Sequence, residues 1–238
     1  MKNEPSEIII GIRKEVFMMK YVYETHFHTS DVSGCANISA AEGVELYKNA
    51  GYSGVIVTDH FSLDCFRDRY KGDTWKDQID YFLRGYRNAK KHATESFSVM
   101  LGIELRFPEN DNDYLVYGID EQFLYDHEDI ITMTAKQFKK LASANQITFI
   151  QAHPFRIDSN ITNPRYVDGI EVYNGNRRHD SSNNIAEMWA EKHGFIVTSG
   201  SDFHEYEDLA RGGVVFDCFV SDIKEFRREL LSGNYSLK

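Results

Sequence analysis

Tyr21-Val22-Tyr23-Glu24-Thr25-His26-Phe27-His28 is the stretch whose reading decides the fold. A short run rich in aromatic and β-branched residues, closed by polar ones, reads as a buried strand. This one ends in two histidines spaced i, i+2. Four further runs end the same way. Gly54-Val55-Ile56-Val57-Thr58 leads into Asp59-His60, and Val99-Met100-Leu101-Gly102-Ile103 leads into Glu104. Ile147-Thr148-Phe149-Ile150-Gln151-Ala152 ends in His153, and Phe195 to Gly200 precedes Ser201-Asp202-Phe203-His204. In parallel α/β architectures chemistry collects at the carboxyl ends of the strands. Five strands delivering imidazole or carboxylate to one edge predict a multinuclear metal site.

Helical spacing follows each strand. Ser39-Ala40-Ala41-Glu42 has the form of a capping box, and the helix it opens stops at Gly51. An apolar stripe over 75–95 (Trp75, Ile79, Phe82, Leu83, Tyr86, Ala89) predicts a second helix. Further helices are expected near 134–145, 181–193 and 221–232, the first opened by Thr134 and the last by Ser221 and Asp222. Two more strands fit Tyr114–Tyr117 and Gly169–Tyr173. About seven strands alternating with helices predict an α/β fold with a barrel-like parallel sheet. Residues 18–238 read as one domain and 1–17 as an N-terminal extension. The polar and aromatic stretch 61–74 is a candidate lid or substrate loop. Aromatic residues near 61–70 and 114–125 are read as core filling rather than a substrate pocket.

Among 238 residues 42% are hydrophobic and only four are proline, which suits one α/β domain with a full core. The formal net charge is −10 and no Lys/Arg block interrupts it. That predicts no binding of duplex nucleic acid, which needs a basic footprint. It leaves room for a small phosphorylated substrate, because bound divalent metals would reverse the local field. Cys35, Cys65 and Cys218 are widely spaced and odd in number, which fits a reducing, cytoplasmic setting. The longest apolar stretches are strand-length, so no membrane partner is expected.

His-x-His at a strand end puts both imidazoles on one face, so His26 and His28 can chelate one ion. Asp202 and His204 share that spacing. Imidazole suits Zn, Fe, Ni or Cu and carboxylate suits harder ions such as Mn, so the mixed set suits a borderline divalent metal. Glu104 is the candidate bridge between two ions roughly 3.5–4 Å apart. Asp59 reads as a helix cap or a partner that orients a ligand. His92, His127, His179 and His193 lie in polar or helical stretches and are given ordinary surface or structural roles.

These residues resemble the PHP family, named for polymerase and histidinol phosphatase domains. The motifs are Thr25-His26-Phe27-His28-Thr29, Thr58-Asp59-His60, Gln151-Ala152-His153-Pro154-Phe155 and Gly200-Ser201-Asp202-Phe203-His204. Gly102-Ile103-Glu104 is similar to the family's bridging segment, and Ile170-Glu171-Val172-Tyr173-Asn174 to another recurrent strand. The resemblance runs from Met19 to about Gly213. It implies a distorted (β/α)7, TIM-like barrel with two or three divalent transition metals (Zn, Mn or Fe) at the strand carboxyl ends. By carry-over, His26, His28, Glu104 and Asp202 would hold one ion. Glu104, His153 and Asp113 would hold a second, with Asp113 standing where the family usually has His; Asp111 and Asn112 are one register off. His60, His204 and a residue after His28 would hold a third. There the family supplies His or Asp, and this chain offers Cys35, with Asp31 close but early. Cys35 as a thiolate ligand would favour Zn; as a small core residue it would leave two metals.

Such a site implies metal-assisted hydrolysis of a phosphoester, with activated water attacking phosphorus in line. His60 or His204 would protonate the leaving oxygen. Arg156 is the candidate phosphate clamp, with Arg177 and Arg211 in loops at the same edge and Arg178 more readily a surface residue. A small phosphomonoester or short nucleotide is the expected substrate. Histidinol phosphate and short oligonucleotides are the alternatives among hydrolases. A non-catalytic metal-binding or regulatory domain is the alternative from another class, and the intact ligand set speaks against it.

Overall fold

The computed structural model describes residues 19–238, so the expected extension over 1–17 lies outside the described residues. The first half of the chain runs β1 (Tyr21–Phe27), α1 (Ala40–Asn49), β2 (Gly54–Val57), β3 (His60–Ser62), α2 (Leu63–Asp68), α3 (Trp75–Phe82), α4 (Arg84–Lys90), β4 (Ser98–Arg106) and β5 (Asp113–Tyr117). It continues with α5 (Glu121–Asp126), α6 (Ala135–Ala144), β6 (Thr148–Gln151), β7 (Gly169–Asn174), α7 (Asn183–His193), β8 (Ile196–Gly200), β9 (Val214–Phe216), α8 (Ile223–Ser232) and β10 (Ser236–Leu237).

The sheet order is β10-β9-β1-β2-β4-β5-β6-β7-β8, with β3 pairing on β4. This is the expected α/β barrel, nearly closed. Its last gap, between β8 and β1, is bridged at the carboxyl end, where His28 N donates to Phe203 O (3.1 Å) and Phe203 N to His26 O (3.0 Å). Strand β1 is buried on both faces through its last five residues, as a central strand covered on both sides must be. Phe27 stacks on Phe203 with ring centroids 5.2 Å apart.

One expectation about direction is corrected. β5 runs antiparallel to both β4 and β6, so the sheet is mixed. An apolar strand pattern carries no direction, and the six residues between β4 and β5 leave room only for a hairpin-type return, while α5 and α6 lie between β5 and β6. β9 and β10 also add an antiparallel edge beside β1.

Ser39 caps α1 by accepting from Glu42 N at 3.3 Å, and Gly51 (φ +81°) ends that helix. The Glu42 carboxylate does not return to close the box; it accepts from the Tyr206 hydroxyl. The stripe over 75–95 is two helices, broken at Leu83. The break brings α4 hard against the barrel: a Cβ on Gly85 would lie 2.3 Å from Asp59 Oδ2 and 2.5 Å from Thr29 Oγ1. The 61–74 segment is not a free lid, because Phe61, Phe66 and Tyr70 are buried in the core between β3, α2 and α3. Among the described residues no helix is long and apolar enough to cross a membrane.

Candidate metal centre

Strand alternation at the end of β1 sends Phe27 into the core and turns His26 and His28 together to the mouth of the barrel. Both imidazoles are fully buried. His26 Nε2 lies 3.0 Å from Glu104 Oε1 and 3.5 Å from Asp202 Oδ1. His28 Nε2 lies 3.4 Å from Glu104 Oε2 and 3.6 Å from Asp202 Oδ1. Glu104 reaches the centre from β4, in register with His60 of the short β3. His60 Nδ1 is 2.7 Å from Glu104 Oε2. His153 Nε2, beyond β6, lies 3.3 Å from Glu104 Oε1 and 3.8 Å from Asp113 Oδ2. The His204 ring centroid is 4.3 Å from that of His28.

Three donor sets therefore converge: His26 with His28 and Glu104, Glu104 with Asp113 and His153, and His28 with His60 and His204. His26 Nε2, His28 Nε2, Glu104 Oε2 and His153 Nδ1 are buried without a hydrogen-bond partner. Buried polar atoms in that state are rare and destabilising, and here all four belong to side chains of the converging donor sets. Imidazole nitrogens mixed with carboxylate oxygens fit a borderline divalent transition metal. The donor set thus suits the expected ions. The third set recruits His28, which the carry-over gave to the first ion. Cys35 joins that set's edge, its Sγ 3.2 Å from His60 Nε2.

Electrostatics follow from the packing. Burial opposes a charge on His26, but the carboxylates of Asp202, Glu171 and Glu104 outweigh it and raise its pKa well above the ordinary value. Burial also works against an ionised Glu104, yet His26 and His60 beside it hold it well below the usual carboxylate range. Cys35 is disfavoured as a thiolate by burial, but contacts with His204 and His60 bring it down to about 6. Burial pushes Asp59 up to about 6, against hydrogen bonds from Thr29 and Ser33. Those bonds (Thr29 N 2.7 Å, Thr29 Oγ1 2.8 Å, Ser33 Oγ 2.8 Å) pin the loop that carries Cys35. Asp59 is thus a positioning residue rather than a cap.

Backbone strain marks the same place. His153 (φ +26°) and Asp202 (φ +51°) are non-glycine residues in the left-handed region, which costs of order 1–3 kcal/mol each. Glu171 secures the first, accepting from His153 N at 3.0 Å. Asn176 Nδ2 donates to the Asp202 carbonyl at 3.2 Å.

The cations divide differently from expectation. Arg156 Nη2 donates to Asp202 Oδ2 at 2.8 Å and to Asn174 Oδ1 at 3.2 Å, while its Nε is buried and unpartnered. Arg106 does not pair with Glu104; its Nε and Nη2 each donate to Asp113, both at 2.7 Å. Asp113 therefore reaches the second donor set in an ion pair with Arg106. Arg177 is exposed and takes no part in lining the cleft, and Arg211 Nε is turned to the Glu207 carbonyl. Neither side chain is among those that line the cleft. Arg178, expected at the surface, lines the cleft and donates to Asp208 at 3.1 Å.

The cleft has two lobes of about 350 Å³ each that share Cys35, His60, Glu104, Arg106 and Asp113. One lobe adds Arg67 and Arg69 from the α2 segment, and the other adds Arg156, Arg178 and His179. His179, given a surface role from sequence, is therefore a cleft residue. It sits on a polar loop whose position only the tertiary fold sets. Glu171 was also missed as a site residue; a carboxylate inside the otherwise apolar β7 was the signal that could have found it.

Among curated proteins, none matches this chain in sequence. PsfC from Pseudomonas syringae PB-5123 is 18% identical over 93% of this chain and 92% of its own, with a TM-score of 0.67. A two-domain protein from Bacteroides vulgatus ATCC 8482 containing a predicted PHP-like metal-dependent phosphoesterase is 13% identical over 92% of this chain and 65% of its own, with a TM-score of 0.61. Endonuclease Q, solved with a 27-mer duplex substrate bearing an abasic lesion at the active site, is 16% identical over 90% of this chain and 57% of its own, also at 0.61.

The last likeness corrects the exclusion of duplex nucleic acid, since the fold this chain adopts serves a duplex substrate in that protein. Net charge does not decide this question: the chain is acidic overall, and its cleft brings Arg67, Arg69, Arg106, Arg156 and Arg178 together with Asp64, Asp68, Glu104, Asp113 and Asp202. Residues 180–235 match the PHP-associated family model. The resemblance carried by the four motifs is borne out by the PHP-like fold of these neighbours and by that match.

Proposed function

We propose that this protein is a metal-dependent hydrolase of organic phosphoesters, working at the convergence of His26, His28, His60, Glu104, Asp113, His153, Asp202 and His204. The observation that supports this most is the set of buried, unpartnered ligand atoms facing one another at the barrel mouth. Two or three ions of Zn, Mn or Fe fit these donors, with Cys35 beside the third set. When bound, they supply Lewis acidity toward the phosphoryl oxygens and an activated water.

The chain's own groups do the rest. Arg156 and Arg178 meet the phosphoryl oxygens, where charge-assisted donors are strongest. Glu171 and Asp59 hold the imidazoles and the Cys35 loop against rearrangement as charge develops. A proton reaches the leaving oxygen from His60 or His204. A phosphomonoester or short nucleotide fits the lobe lined by Arg156, Arg178 and His179. The second lobe, with Arg67 and Arg69, favours one further reading: a substrate carrying another phosphate beyond the scissile one, as nucleic acid does.

Hydrolysis of an aryl phosphate and its diester by the metal-loaded protein tests the proposal. Turnover abolished in His26→Ala supports it, and the monoester-to-diester ratio separates the two substrate readings. Failure of metal-loaded, folded protein to turn over either ester contradicts it.

A further inference from the structure

At the end of the barrel opposite the metal centre lies a cavity of about 700 Å³, walled by α5, α8 and the turn before β6. That is the size of small-ligand sites, which run to roughly 300–1,000 Å³. Helix α8 turns its Phe226 and Leu230 into the core. A different stripe of the same helix, Lys224, Arg227, Arg228 and Leu231, faces the cavity at i, i+3, i+4 and i+7.

The cations of this stripe are not all spent on neighbours. Arg228 pairs with Glu225 and Glu229. Lys224 and Arg227, in contrast, form no side-chain hydrogen bond or ion pair among the described residues, and Arg227 Nε is buried without a partner. The two carboxylates that line the cavity are engaged locally. Asp120 Oδ1 caps α5 by accepting from Phe123 N (2.9 Å), and Asp126 Oδ1 accepts from Gln122 Nε2 (2.9 Å). The apolar lining comes from Ile119, Ile147 and Phe123, which are buried in the core beneath the cavity, with the His127 ring stacked on Phe123 at 4.3 Å. Gly118 (φ +101°) lets Arg227 lie along the turn, since a Cβ there would come within 3.1 Å of Arg227 Cδ.

We propose that this cavity is a second ligand site, separate from the metal centre, for a small organic phosphate carrying a planar group, the chemistry of a mononucleotide. Lys224 and Arg227 take the phosphate, and the planar group lies against Ile119, Phe123 and Leu231. None of these residues touches the metal centre, so occupancy here is independent of the reaction proposed above.

The test is calorimetric titration of the full, metal-loaded chain with the phosphonate analogue of adenosine 5′-monophosphate, whose P–C bond resists hydrolysis. Binding that survives Arg156→Gln in the cleft, and weakens roughly tenfold or more in the double variant Lys224→Gln/Arg227→Gln, is the expected result. Aryl phosphate turnover in that double variant stays at the parent rate. Leu231→Trp, which fills the mouth and removes no charge, also weakens binding. The proposal is overturned by any of three results: no binding to the parent chain, unchanged affinity in both the double variant and Leu231→Trp, or adenosine binding as tightly as its phosphonate.

Discussion

Glu171 Oε1 lies 3.0 Å from His26 Nδ1 while its Oε2 accepts the His153 amide at 3.0 Å. One buried carboxylate thus orients a ligand from β1 and fixes the strained backbone of a ligand beyond β6. Its hold on Nδ1 leaves His26 Nε2 directed at Glu104 and Asp202. Partners of this kind set the tautomer and angle of metal-binding imidazoles.

Glu171→Gln keeps the shape of this contact and removes its charge. Metal affinity is expected to fall by about 10- to 100-fold, with far-ultraviolet circular dichroism unchanged. Titration with Zn or Mn against a competing chelator measures it; parental affinity would show that Glu171 serves only the fold.

Gly200 stands where no side chain fits. A Cβ there would meet His26 Cβ at 2.5 Å and Glu171 Oε1 at 2.7 Å. Gly200→Ala is expected to destabilise the fold by roughly 1–3 kcal/mol, as overpacking does, and to lower metal content with it. Chemical denaturation and elemental analysis read the two effects.

Arg106 pairs with Asp113 through two hydrogen bonds at the lip shared by both lobes. Arg106→Met leaves Asp113 anionic beside the incoming phosphate. The expected result is a KM for aryl phosphate raised by about tenfold, the worth of one charge-assisted bond, with metal content retained. A lowered kcat at unchanged KM would place Arg106 elsewhere in the reaction.

Asp80 joins three helices away from the centre, accepting from Lys76 of its own helix α3 (2.8 Å), Arg87 of α4 (2.9 Å) and Tyr125 of α5 (2.5 Å). The contacts with Lys76, Tyr125 and Arg87 hold its carboxyl below the usual range. A depressed folded pKa stabilises above the unfolded value, near 3.9, and that stability is lost as pH falls through the folded pKa. Asp80→Asn should therefore lower Tm at neutral pH and flatten the fall in Tm below about pH 4. Because Asp80 is about one-third exposed, the effect is small. Parallel Tm-against-pH curves for the two proteins would contradict it.

Much of this was legible before any coordinates. His26, His28, Glu104, His153, Asp202 and His204 each close an apolar run, and a run's length and composition reveal a buried strand. Direction is not written in such a run, so the antiparallel β5 went unseen. The break at Leu83 has no proline to announce it, and it sets Gly85 against Asp59. Arg177 and Arg178 are adjacent in sequence, and only loop conformation sends one to solvent and the other to the cleft. Arg69 and His179 reach the cleft through tertiary placement alone.

Elemental analysis of the full chain, purified without chelator, tests the central claim most directly. The account predicts two or three equivalents of a divalent transition metal, falling by at least one in folded His26→Ala. Folded parent protein that carries no transition metal and takes up none on reconstitution would contradict it.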